Sequence, residues 1–234
     1  MAARLASARS RWERLAGTVA LASLFDTLDD VSTGIDQLDQ ALSQVRGRGY
    51  RFGRDWEAQL STLRRRWPQQ RTQALRLLES ERRVLQTGAR DVELLLQRAA
   101  RDTGLVDTVE SRVRDLELNV SRAESRVRET FDGTQQQATA LRSEIQKAQF
   151  LMDVLDSASF DLLPNEHPVA ACESTWVSDA QKPEGLLFLT DARLIFEQRQ
   201  EVAKKKVLFI TTEKELVQEM LWDTPIGAVD ELEA

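Results

Sequence analysis

The stretch that decides the fold is residues 21–45, which read LASLFDTLDDVSTGIDQLDQALSQV. Apolar side chains recur in it at alternating steps of three and four residues: Leu21, Leu24, Leu28, Val31, Ile35, Leu38, Leu42 and Val45. Such a heptad repeat is typical of a coiled-coil helix with one buried stripe. Upstream, Leu5, Ala8, Trp12, Leu15 and Val19 continue similar spacing, so the sequence predicts one helix over about residues 3–46.

A second helix is predicted beyond a glycine-rich break. Three glycines fall within residues 47–53 and disfavour a helix there. The next apolar stripe predicts a helix over about residues 54–102, in which Pro68 is expected to kink or restart the helix.

A third helix is predicted after Thr103-Gly104, which has the composition of a helix stop. Its apolar stripe starts at Val106 and predicts a helix over about residues 105–160. Two successive four-residue steps lead to Phe131, a stutter that locally unwinds a left-handed supercoil. This region is therefore predicted to be the weakest part of the third helix.

The three helices together predict a mainly α fold. Short turns favour antiparallel neighbours, so residues 1–162 are expected to form elongated antiparallel coiled-coil helices, similar to a three-helix bundle. Self-association is the other way to cover the same apolar stripes, and it is compatible with the bundle. Residues 163–234 are expected to form a small antiparallel β domain.

The C-terminal part has a different composition. Four of the five prolines lie there, and its apolar runs are short, which is typical of strands. The strands are predicted at residues 169–176, 185–190, 194–198, 207–212 and 217–222.

Two segments of this part resemble a known family. EGLLFLTDARLIFE, residues 184–197, resembles the hairpin of GRAM and related bacterial pleckstrin-homology-like (PH-like) domains, and TPIGAV, residues 224–229, resembles a later strand entry. The resemblance covers about residues 165–234 and implies a domain that binds lipid or protein. Such domains continue with further strands and a closing helix. The β segment is therefore expected to be incomplete, either as a piece of a longer protein or as a fold that needs a partner at its edge.

The charge distribution favours a protein partner. The chain carries a net charge of −6. Residues 1–163 have 25 basic and 24 acidic residues, a net of +1, and residues 164–234 have 7 and 14, a net of −7. An acidic domain is a poor electrostatic match for anionic lipid or nucleic acid. No apolar run reaches the ~20 residues that span a bilayer. A single cysteine suits a reducing compartment, so a soluble cytoplasmic protein is expected.

Catalytic chemistry is not expected. His167 is the chain's only histidine and is interpreted as a surface linker residue, and Cys172 as a buried strand residue. The acidic pairs Asp29-Asp30 and Glu213/Glu215 are interpreted as solvated charges. We therefore predict a protein that is not an enzyme and has no cofactor, no metal site and no small-molecule substrate.

Two groups of residues are candidates for recognition of phosphate groups. The loop at residues 46–54 holds arginines and aromatics that could contact a nucleic acid: Arg48, Tyr50, Arg51 and Phe52. A solvated turn between helices is the favoured interpretation of this loop. Residues 3–19 form a basic amphipathic helix, and its Arg4, Arg11 and Trp12 could lie on an anionic membrane.

A third candidate is the cluster Lys204, Lys205 and Lys206, which could touch lipid headgroups but is more consistent with a solvated hairpin loop. Taken together, the sequence predicts a non-enzymatic scaffold or interaction protein. Its helices would assemble it, and its PH-like segment would recognise a protein. A peripheral membrane protein is the alternative, and nucleic-acid binding is a lesser one.

Overall fold

A computed structural model describes the backbone of residues 2–177, 182–207 and 210–229, and the side chains of these residues except 201–216. The described residues form five α-helices followed by a four-stranded antiparallel sheet, which confirms the mainly α class with a small β domain. The helices are α1 (Ala2–Ala16), α2 (Ala22–Gly47), α3 (Trp56–Ala99), α4 (Val106–Glu129) and α5 (Asp132–Leu155). The strands are β1 (Pro168–Thr175), β2 (Glu184–Thr190), β3 (Arg193–Val207) and β4 (Ile210–Pro225).

The chain divides into two compact units. The first, called the bundle unit, contains Met1–Gln37 and Gln59–Thr139. The second, called the sheet unit, contains Leu38–Ala58 and Ala140–Ala234. The sheet unit therefore holds the end of α2, the start of α3 and most of α5 in addition to the strands.

Antiparallel neighbours are present in the bundle unit. Arg71 of α3 donates to Asp29 of α2 (2.7 Å), and Trp67 donates to Ser32 (2.8 Å), so residue numbers fall along α3 as they rise along α2. The same opposition relates α3 to α4, where Arg126 donates to Glu81, and to α5, where Thr134 donates to Gln70. By contrast, α1 runs parallel to α4, since Arg4 contacts Asp107 and Arg11 contacts Glu117.

The apolar stripes are buried within this single chain. All eight apolar residues of the stretch 21–45 that defines the heptad are buried, and so are the seven of α4, from Val106 to Val127. Burial of this kind is the main source of stability for amphipathic helices.

The predicted helix over residues 3–46 is in fact two helices. The helix α1 ends at Ala16, and the amide and hydroxyl of Thr18 both donate to the carbonyl of Leu15, forming a turn. Leu21 then adopts a positive φ of 52°, which a helix does not tolerate. The apolar spacing predicted continuity because Leu15, Val19 and Leu21 remain buried through the turn.

The predicted third helix also divides, at the stutter. The helix α4 ends at Glu129, α5 begins at Asp132, and Phe131 between them is buried against Trp67 at a ring-centroid distance of 6.4 Å. Helix α5 ends at Leu155 rather than near residue 160. Pro68 lies inside α3 without ending it.

The sheet is a simple meander in the order β1-β2-β3-β4. Only the first two predicted strands keep their extent. The predicted strand 194–198 is the start of the longer β3, the predicted strand 207–212 spans the β3–β4 connection, and 217–222 is part of β4. Residues 208–209 of that connection lie outside the described residues.

The sheet strands approach closely at Gly185. A Cβ atom there would overlap the carbonyl oxygen of Glu197 on β3, so the position requires glycine.

Candidate interaction site

Arg193, at the start of β3, ties the sheet to the linker that precedes β1. Its Nε donates to Glu166 (2.9 Å), one terminal nitrogen donates to the carbonyl of Asp161 (3.0 Å), and the other pairs with Asp223 of β4. The side chain of Glu166 is 1% exposed and that of Arg193 is 10% exposed. This ion pair fixes the linker on the sheet, because it joins Glu166 of the linker to Arg193 of β3. Breaking it would leave an unpaired buried charge, which is costly.

The turn between β2 and β3 is fastened to the same linker. The hydroxyl of Thr190 donates to Glu166 (2.6 Å) and accepts hydrogen bonds from two amides of the turn. The carboxylate of Asp191 accepts from the backbone amide of His167 (2.8 Å) and lies 2.9 Å from its ring Nδ1. The segment TDAR, residues 190–193, therefore has a structural role here.

The network holds its carboxylates in the ionised form. Burial by itself would raise the pKa of Glu166, but hydrogen bonds from Arg193, Thr190 and the Leu163 amide outweigh it and hold this pKa below its usual value. The backbone amide of His167, followed by its ring, lowers the pKa of Asp191. Neither acid is prepared to donate a proton near neutral pH.

A second buried carboxylate, Glu197, holds the end of α5. Its side chain is 0% exposed and accepts from the Ser159 amide, from Arg199 and from Gln218. Arg199 also donates to the carbonyl of Val154 (2.8 Å). Burial would raise the pKa of Glu197, but these hydrogen bonds, the one from the Ser159 amide first, lower it overall. Both buried acids therefore fix residues 154–166 on one face of the sheet.

The opposite face of the sheet carries an aromatic cluster. Phe196 of β3 stacks on Trp222 of β4 with ring centroids 5.9 Å apart, and Trp176 lies 6.3 Å from each of them. Phe196 is 1% exposed, whereas Trp176 is 37% exposed. The indole N–H of Trp222 is buried and meets no acceptor among the described residues.

A groove of about 620 Å³ lies between α5 and the strands β1 and β2. Its walls combine apolar and charged side chains: Phe150, Val154, Glu173, Ser174, Thr175, Glu184, Gly185, Leu186 and Arg199. All of these residues belong to the sheet unit.

The loop proposed for nucleic-acid contact forms an ordered turn. Arg46 donates to the carbonyls of Tyr50, Phe52 and Gly53 at 2.6–3.0 Å. The buried ring of Tyr50 stacks on Trp56 at 5.6 Å, which covers one of the faces that a base would use.

The other three candidate residues of that loop differ in their surroundings. Arg48 pairs with Asp153 and Asp156 of the segment at the end of α5. Arg51 is exposed, and Phe52 is half-buried.

The helix proposed for membrane contact packs on α4. Arg4 donates to Asp107 and Glu110 (2.6 Å each), and Arg11 donates to Glu117. Ala8 and Leu15 of α1 are buried, and Trp12 is half-buried. The apolar face of α1 is therefore used within the bundle unit.

The lysine cluster lies in a strand. The backbone of residues 204–206 belongs to β3, not to a hairpin loop, and the side chains lie outside the described residues. The side chains of Glu213 and Glu215 lie outside them as well.

The prediction for the chain's single cysteine is only partly correct, whereas its single histidine lies in the predicted linker. Cys172 lies in β1 as predicted, but it is exposed rather than buried because β1 is an edge strand. His167 lies in the linker as predicted and pairs with Asp191.

The part of the chain that the structure describes has neither a metal-binding cluster nor a membrane-spanning helix. These residues contain no cluster of three or more His, Cys, Asp and Glu side chains that could hold a metal ion. Among their helices, none combines the length and the apolar composition needed to cross a membrane.

Comparison with known proteins gave no relative: no protein-family model matches the chain, and neither does any curated protein. The resemblance of residues 165–234 to GRAM and PH-like domains therefore stays a prediction.

The buried network was missed by the sequence analysis. Glu197 lies between the apolar pair Ile195-Phe196 and Arg199, at an alternating position shared with the buried Ile195. An acid at an inward-facing strand position, followed two positions later by a basic residue on the same face, is a sequence signal that could have indicated this buried ion pair. Glu166 offers no comparable signal, because it lies in a linker without periodicity.

Proposed function

We propose that the protein is a non-enzymatic interaction protein whose sheet unit recognises a protein partner. The observation that carries this proposal is that the sheet unit buries and pairs its charges on one side and exposes an aromatic residue and a strand edge elsewhere. The buried acids Glu166 and Glu197 are neutralised by arginines and hold the linker, whereas Trp176 and β1 face outward. Aromatic residues are enriched at protein interfaces relative to the rest of a protein surface.

The net charge of −7 on residues 164–234 supports protein rather than lipid as the ligand of this unit. A GRAM or PH-like fold, as the resemblance implies, would suit either ligand, and the negative charge favours protein.

The test is photo-cross-linking of the full chain in the cells that produce it. A photoreactive amino acid is placed at Ser174 or Trp176 of the sheet unit and, as a matched control, at Glu93 on the exposed side of α3. We expect defined protein adducts from the sheet-unit positions only, identified by mass spectrometry. Absence of adducts at both sheet-unit positions would contradict the proposal.

Two parallel assays address the alternatives. Sedimentation with phosphatidylserine vesicles tests membrane association through Arg4 and Arg11. A gel shift with single-stranded DNA tests the loop at residues 46–54. Tight binding in either assay by the purified chain alone would favour that alternative.

A further inference from the structure

We infer that the outer edge of β1 binds an extended, basic segment of a partner protein as an added strand. This inference rests on the proposed function, since it names the chemistry of the partner for the same unit. The strand β1 is an edge of the sheet: β2 pairs with one side of it, and no strand among the described residues pairs with the other. Main-chain pairing at such an edge is a common way to bind extended peptides.

The free backbone groups of this edge follow from the alternation of a strand. The amide of Trp176 donates to the carbonyl of Pro183 (3.0 Å), which lies toward β2. The N–H and C=O groups of residues two positions apart point to the same side of a strand, and those of neighbouring residues point to opposite sides. The ladder is irregular between Pro168 and Ala170, and there the carbonyl of Val169 accepts from the hydroxyl of Tyr50 (3.2 Å) instead of from β2. The residues whose amides and carbonyls face the open side are Ala171, Glu173 and Thr175.

The groove beside this edge provides room for side chains of an added strand. The side chain of Glu173 lies on the same face of the sheet as Leu186, its register partner on β2, and that face also meets α5. Phe150, which is 36% exposed, and Val154 form the helical wall of the groove. Alternate side chains of an added strand would point into the groove and pack against these apolar groups.

The charges of the groove select a basic segment. Glu173 and Glu184 are both exposed, and no ion pair joins either to a described residue. Arg199 also lines the groove, but its guanidinium is engaged by the buried Glu197 and by the carbonyl of Val154. Glu173, on β1 itself, therefore remains for a cross-strand pair with a lysine or arginine of the added strand, and such pairs of opposite charge are favourable. Glu184 lies one strand further away, on β2, and adds negative charge to the groove.

A second copy of the same chain is a poorer occupant. If two β1 edges paired about a two-fold axis at Glu173, the middle of the three outward-facing residues, the Glu173 carboxylates of both copies would lie close together on one face. Like charges in such cross-strand positions are destabilising. The edge is thus better matched to a foreign strand.

The test measures amide exchange by NMR on the full chain labelled with nitrogen-15. The probe is the capped peptide Thr-Val-Lys-Val-Lys-Val-Thr, and the control peptide carries Glu in place of both Lys. With the basic peptide we expect exchange to slow at the amides of Ala171, Glu173 and Thr175. The alternate amides between them already donate within the sheet and should not change.

Two variants sharpen the test. Glu173→Gln should weaken binding of the basic peptide by up to about fivefold, the loss of one cross-strand charge pair. Ala171→Pro should abolish protection at the edge, because it removes an outward amide without removing a bond to β2. The matched control Glu93→Gln, an exposed acid of the bundle unit, should leave binding unchanged.

The inference is overturned if these three amides gain no protection, or if the acidic peptide protects them equally. It is also overturned if the chain alone forms a dimer in which they are already protected. A partner cross-linked at Trp176 would leave the proposed function standing in each of these cases. Absence of any cross-linked partner would count against the proposed function instead, whatever the peptide does.

Discussion

Arg193 and Glu166 form a buried ion pair whose charges are stabilised by hydrogen bonds. A charge taken out of water is costly unless a partner and further donors satisfy it. Glu166 accepts from Arg193, from Thr190 and from the Leu163 amide, which meets that condition. The pair therefore defines the position of the linker rather than a reactive group.

Replacing Arg193 should destabilise the protein strongly. For Arg193→Ala we expect the free energy of unfolding to fall by about 3–5 kcal/mol, because Glu166 would remain buried without its cation. The measurement is urea unfolding followed by tryptophan fluorescence. The control Arg83→Ala removes a guanidinium that is 76% exposed and should change stability by about 0.5 kcal/mol or less. A loss no larger than that of the control would contradict the structural role.

The lowered pKa values of Glu166 and Glu197 predict a loss of stability in acid. Glutamate in an unfolded chain titrates near pH 4.3, and both folded pKa values lie below that. The stabilisation is therefore complete above roughly pH 5 and disappears as the pH falls through the folded pKa values.

The variant Glu166→Gln tests this dependence, because it removes one of the titrating groups. Its deficit in unfolding free energy relative to the parent should be largest near neutral pH and should shrink toward pH 3. A deficit that stays constant over this range would show that the titration of Glu166 does not contribute.

Single residues of this kind are the part that the sequence predicts least. A short connection at residues 191–193 was expected from the predicted strands 185–190 and 194–198, but the pairing of Glu166 with Arg193 joins residues 27 positions apart. Apolar periodicity describes the faces of an element and carries no information on which distant polar groups meet. Tyr50 illustrates the same limit, since its ring lies against Trp56 instead of facing solvent.

At the level of elements, the apolar stripes predicted which segments are helical, because burial of one stripe requires the helical period, and the short turns between them predicted the antiparallel order. The periodicity did not predict the break before α2, since Leu21 stays buried while its φ is positive. The long β3 and β4 were underestimated for a related reason. Pairing with a neighbouring strand extends a strand through polar residues that have no apolar alternation.

Two glycines, one in the α2–α3 loop and one in the first turn of α5, should respond in opposite ways to alanine. Gly53 has a φ of +68°, and a Cβ atom there would overlap the indole of Trp56. We expect Gly53→Ala to cost at least about 2 kcal/mol of unfolding free energy. Gly133 lies in the first turn of α5 with open space around it, so Gly133→Ala should add about 0.5–1 kcal/mol. Urea unfolding of both variants checks the pair, and equal effects would contradict the described geometry of the loop.

At the level of the whole molecule, arginine supplies nearly all of the positive charge of the helices, and the structure uses part of it internally. Arg4 and Arg11 face acidic residues of α4, and Arg126 faces Glu81 of α3. Composition alone predicted a basic amphipathic helix at the start of the chain, because a sequence does not show which surface its arginines meet.

This pairing predicts that the purified chain does not sediment with phosphatidylserine vesicles at physiological salt. The apolar face of α1 is covered by α4, and Arg4 and Arg11 are already paired with acids of α4. The matched variant combines Asp107→Lys, Glu110→Lys and Glu117→Lys, which would repel α1 and free it for membrane contact. We expect vesicle binding by that variant only. Salt-sensitive sedimentation of the parent chain would contradict the assignment of α1 to the bundle.

The hydrogen bond between the hydroxyl of Tyr50 and the carbonyl of Val169 has one more consequence. It closes the edge of β1 at its first residues, since that carbonyl already has a donor. A chain laid along the remaining edge would meet the α2–α3 loop as a stop at this end. Tyr50 would then set the register in which such a chain pairs with β1. Tyr50 lies more than 100 positions away from Val169 in the sequence.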